Sequence, residues 1–140
     1  MVRLVAIAAL LPAMAMAGNY SDTFSASFRS SIDAAMALQD KDQRAARLNE
    51  ALRLGTDKEV FFVMPLLFPE SVLTSAKQAG VCTSEIAASM GNLDAYLRLP
   101  EEKQRSFPEQ NAARIRSDTE HLVSCLHQFY EDGKLRFPRR

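Results

Sequence analysis

Residues 21–38, SDTFSASFRSSIDAAMAL, decide the fold class. Phe24, Phe28, Ile32 and Ala35 recur at i, i+4, i+8 and i+11. That spacing lines one stripe of an α-helix, whereas a half-buried strand would alternate apolar and polar residues. The same period runs outward from this segment. Asp40-Lys41-Asp42-Gln43 has capping-box spacing and opens a second helix with a narrow apolar face, Leu48, Ala51 and Leu52. Gly55 is expected to stop it in a left-handed conformation.

Thr56-Asp57-Lys58-Glu59 repeats the capping pattern ahead of residues 60–69, VFFVMPLLFP, ten positions without a charge. A helix hydrophobic all round is buried on every side or presents part of its surface to a partner. Phe61, Phe62, Met64, Leu67 and Phe68 are therefore the candidate partner-binding residues, with a central core helix as the competing reading. Pro65 removes an amide donor and clashes with the preceding turn, so the segment is expected to kink or end just before it. Pro69-Glu70 restarts a helix that buries Val72, Leu73 and Ala76 and closes at Gly80.

From Thr83, Ile86, Met90, Leu93 and Leu97 mark one seam of a further helix. Pro100-Glu101-Glu102 suggests another first turn, and Ser106-Phe107-Pro108-Glu109 a capping box opening the longest helix, which runs to Asp132 and ends at Gly133. Its inward residues are Ile115, Leu122, Val123, Leu126, Phe129 and Tyr130, while Arg114, Arg116, Asp118 and Glu120 point away. No alternating run bounded by hairpin turns is found. The chain reads as all-α, a compact bundle of five or six helices.

At the other end, residues 1–17 have the grammar of a secretory signal. Arg3 gives a positive start, residues 4–11 an apolar run, and Ala15-Met16-Ala17 a small-x-small cleavage signature. The run is shorter than the roughly 20 apolar residues a bilayer requires and is broken by Pro12. Cleavage after Ala17 leaves residues 18–140 as a single helical domain, with no membrane span in the mature chain and a periplasmic or secreted destination. The whole chain has 17 basic and 17 acidic residues. The segment takes one cation with it, leaving a balance of minus one and no electrostatic case for nucleic acid. Residues 134–140, KLRFPRR, carry four cations, read as a solvated end or a site for something acidic.

An even cysteine count in an exported chain favours a disulfide between Cys82 and Cys125. It would tie the start of the helix after Thr83 to the last third of the long one. That bond consumes both sulfurs, and His127 lies about 200° round a helix from Cys125, so the His121, Cys125 and His127 cluster is not expected to hold a metal. The serines lack a nucleophile-elbow context, and the glycines do not form a phosphate loop. Asp57, Glu59, Glu70, Glu85, Asp94, Glu101 and Glu102 mostly occupy first turns, where capping explains them. No catalytic residue and no cofactor are expected. The leading expectation is an exported protein that acts by binding another protein, an effector enzyme or a second copy of itself. In format, a signal followed by a small cystine-stapled helical body, the chain resembles periplasmic immunity proteins of secretion-system effectors, a resemblance that rests on no motif. A stress holdase exposing apolar surface on acidification is one alternative, although two histidines give it little charge to switch near neutrality. A small hydrolase with convergent carboxylates is the other.

Overall fold

The computed structural model describes residues 23–139, so the expected signal segment lies outside the described residues. Within them the chain is all-α. The helices are α1 (Ala26–Met36), α2 (Lys41–Leu54), α3 (Asp57–Leu67), α4 (Glu70–Ala79), α5 (Thr83–Leu97), α6 (Glu101–Gln104), α7 (Phe107–Gln110) and α8 (Ala112–Leu126). A 3-10 turn, His127–Phe129, leads into a short hairpin of β1 (Tyr130–Glu131) and β2 (Lys134–Leu135). The described residues hold eight α-helical segments, of which α6 and α7 are single turns of four residues, so the bundle has six full helices, as the sequence predicts.

α8 is the axis of the bundle, with α2, α3 and α5 packed around it. Its Leu122, Val123 and Leu126 are wholly buried, each such side chain stabilising the fold by about 1.5–3 kcal/mol. Left-handed backbone at Gly80 (φ 75°) and Cys82 (φ 53°) carries the chain from α4 into α5 and delivers Cys82 to Cys125 in the last turn of α8. The two are disulfide-bonded with their Cα atoms 6.0 Å apart.

Several local expectations are corrected. Gly55 is extended (φ −77°, ψ 160°), not left-handed; its side-chain-free surface is what the Phe28 ring lies against, and an added Cβ would stand 2.5 Å from that ring. α3 runs through Pro65 and ends two residues later, at Leu67, and the apolar segment bends by 67° between α3 and α4. Pro65 stands in the last turn, so one missing amide bond is outweighed by burial of Val60, Phe61, Val63, Met64 and Phe68. No single helix among the described residues is long and apolar enough to cross a membrane. The bent α3–α4 pair reaches that composition jointly, and its apolar residues supply much of the core.

α5 is rotated from its expected seam: Met90 and Leu97 are exposed, while Ser89 and Asn92 are buried beside Ile86. Asn92 is satisfied there by donating to Asp118 (2.8 Å) and accepting from Arg114 Nε (2.8 Å). Arg116 likewise reaches Asp57 and the carbonyls of Leu52 and Gly55, and Glu120 pairs with Arg53. The α8 side chains expected to point away instead tie that helix to α2, α3 and α5, because a helix surrounded by others has a second face to dock.

The 106–132 segment is also subdivided. Ser106 makes no cap; Phe107 is drawn into the core against Phe61 and Tyr96, and the chain breaks at Asn111 before α8 begins. At the far end, left-handed Asp132 (φ 51°) and Gly133 (φ 79°) form a hairpin turn, not a helix stop. The basic tail begins in β2, and its Phe137 packs on Phe129 with ring centroids 5.6 Å apart.

Candidate functional site

The first site is built from two helix starts. Thr56 and Glu59 form the reciprocal capping box read from the sequence: Thr56 Oγ1 accepts from the Glu59 amide (3.1 Å) and Glu59 Oε1 accepts from the Thr56 amide (2.8 Å). The second carboxylate oxygen, Oε2, accepts from the Ser25 amide (2.8 Å). Ser25 in turn caps α1 by accepting from the Phe28 amide (3.1 Å). One buried carboxylate therefore holds the beginning of α1 beside the beginning of α3. Burial opposes its charge, but the hydrogen bonds from Thr56 and Ser25 prevail and hold its pKa below the ordinary carboxylate value.

So placed, α1 and α3 enclose an apolar groove of about 330 Å³. Phe28, Ile32 and Met36 line it from α1, and Val63, Leu66 and Leu67 from α3. Leu66 is 51% exposed and Met36 36%, although Met36 continues the inward-facing stripe of Phe28 and Ile32. Arg29 and Asp33, both exposed, also border the groove, and neither side chain forms an ion pair or hydrogen bond among the described residues.

The five residues singled out in the apolar run are divided by this arrangement. Phe61, Met64 and Phe68 are buried in the core, and Phe62 is half-buried against Phe61 and Tyr96. Only Leu67 of the five borders the groove. Leu66, Arg29 and Asp33 are the surface residues that sequence reasoning missed, and Met36, which reads first as core filler, stands at the surface. The signal available for Leu66 was angular: at 100° per residue it falls on the opposite side of the helix from Phe61, Met64 and Phe68.

A second, contrasting region lies under the C-terminal hairpin. His127 is 2% exposed, its ring is 5.7 Å from that of Phe68 and 6.4 Å from that of Tyr130, and neither ring nitrogen has a hydrogen-bond partner. Arg44, 3% exposed, stacks over Tyr130 at 3.6 Å and donates to the Leu38 carbonyl. Burial first, and the Arg44 charge second, push the His127 pKa down to about 4. The imidazole is neutral at pH 7. No group of three His, Cys, Asp or Glu side chains is placed to hold a metal ion among the described residues. His121 is exposed on α8, His127 is buried among aromatic rings and Cys125 is bonded to Cys82. Of the acidic residues considered for catalysis, Asp57 is paired with Arg116 (2.9 Å), Glu59 caps two helices and Asp94 meets Arg98 (3.5 Å).

Comparison of the chain with protein-family models, curated proteins and solved structures finds no match.

Proposed function

We propose that this is a small exported helical protein that acts by binding another protein, as an inhibitor or immunity factor that occludes a toxic enzyme of the cell envelope. The observation that supports this reading most is the α1–α3 groove, where Leu66 and Met36 stay in water beside a well-packed core. The Cys82–Cys125 cystine adds support for an oxidising destination, since such bonds are rare among proteins kept in reducing compartments. In an extract of the cell envelope, bait comprising residues 18–140 recovers one enzyme in stoichiometric amount, and Leu66→Glu abolishes the capture without changing the helical signal. Recovery of nothing overturns the reading, as does an intracellular product that starts at Met1 with both thiols reduced.

A second reading, a holdase that releases apolar surface in acid, is favoured by one observation: His127 is buried without a partner beside Arg44, so acid works against the folded state. Under that reading the bait captures many unfolded clients near pH 4–5 and none at pH 7.

A further inference from the structure

The charges beside the groove are arranged in a way that names its occupant. Arg29 and Asp33 are one turn apart on the exposed flank of α1 and do not pair with each other. A cation placed N-terminal to its anion is the weaker i, i+4 orientation within a helix. Seen from another molecule, the same order is self-complementary. Turning a copy of α1 by 180° about an axis perpendicular to the helix near Ser31 brings an anion opposite each cation and a cation opposite each anion. A two-fold interface has this property of matching one patch to itself. Met36, on the same face of α1 as Arg29 and Asp33, and Leu66 across the groove are apolar groups left in water.

We propose that the α1–α3 groove is the seat of a second copy of this chain, the two copies meeting antiparallel across α1 with Arg29 of each facing Asp33 of the partner subunit. The inference rests on reading the groove as a protein-binding surface, and makes a second copy and the enzyme competing occupants of it. Apolar contact through Met36 and Leu66 supplies the affinity, and the reciprocal charges fix orientation and exclude a parallel arrangement, in which like charges would meet.

The test is sedimentation equilibrium of the mature chain with charge-reversal variants. Arg29→Asp and Asp33→Arg are each expected to weaken self-association by at least about tenfold, because each sets like charges against one another across the axis. An equimolar mixture of the two variants recovers the dimer, since every facing pair is then opposite in sign, and the double variant R29D/D33R recovers it alone. Leu66→Glu leaves a monomer. All three substituted residues are exposed, so circular dichroism and thermal midpoint verify that the fold is unchanged. A wild-type chain that is monomeric at every concentration overturns the inference, and so does a mixture no more associated than its components. If that monomer still captures an enzyme through Leu66, the groove takes a heterologous partner and the protein-binding reading survives without the dimer. A dimer with the expected charge pattern that captures no enzyme leaves the inference standing and removes the inhibitor.

Discussion

The groove between α1 and α3 leaves Leu66 and Met36 in water, whereas the space under the hairpin encloses Arg44 and His127 away from it. Both depart from apolar-inside, polar-outside, in opposite senses and with different consequences. An exposed leucine costs the folded state little, because it is exposed in the unfolded chain as well; what it leaves is an unrealised gain that association can collect. A buried imidazole without a partner costs the folded state directly, and the cost grows with every proton that becomes available. The first region is thus a reserve for binding and the second a source of conditional stability.

The largest test of this contrast acts on the helix that supports the buried-polar side. Reducing the cystine, or Cys125→Ser with Cys82→Ser, releases a 43-residue loop and is expected to cost about 4 kcal/mol in the chain-entropy account. Urea unfolding with and without reductant measures it. Hydrogen exchange should then show α8 and the hairpin losing protection before the α1 and α3 starts, since Cys125 lies two residues from His127 and the groove is braced through Glu59.

The next effect is the acid response of His127. A histidine whose folded pKa of about 4 lies below its ordinary 6.5 binds its proton more readily when unfolded. Its contribution is therefore fully present above pH 6.5 and falls progressively as pH drops toward 4, by about 3 kcal/mol in all and about 2 kcal/mol at pH 5. His127→Phe, which suits the surrounding Phe68 and Tyr130 rings, should flatten the stability profile between pH 7 and 5. An unchanged profile in that variant would erase the distinction between the two regions.

Glu59 belongs to the groove side and responds with a different window. Its lowered pKa means that its stabilisation is complete above the ordinary carboxylate value of 4.5 and is lost as pH falls through the folded value, after most of the His127 loss has occurred. Glu59→Ala at neutral pH leaves the Ser25 and Thr56 amides without their acceptor and is expected to cost about 1–3 kcal/mol by thermal or urea unfolding. The smallest effect is Leu66→Ser, expected within about 0.5 kcal/mol of wild type in stability, as for other surface changes. A much larger loss would mean that Leu66 is a core residue and that the groove is closed.

What was legible in the sequence follows from how local its cause is. The α1 stripe, the Thr56–Glu59 capping box, the helix end at Gly80 and the helical nature of the whole are set by residues close in sequence, and each is present in the structure. The Cys82–Cys125 pairing followed from chemistry and count. The misplaced details depend on what packs from elsewhere. Met90 and Leu97 look like seam residues until Asn92 finds Asp118 and Arg114 on α8 and turns the face of α5. Gly55 is explained by Phe28, which reaches it from another helix. The Asp132–Gly133 turn was present as a hairpin dipeptide, but two-residue strands leave no alternation to read. The apolar run at 60–69 announced an unusual segment without saying which side of it faced water. That was decided by α1, which covers only part of α3.

The dual engagement of Glu59 links the kinetics of two distant amides. Each of its oxygens holds one of them, so α1 cannot peel from the bundle without the start of α3 losing a neighbour in its own network. The Ser25 and Thr56 amides should exchange with solvent deuterium in step, and a protease that reaches the start of α1 would find the start of α3 already loosened.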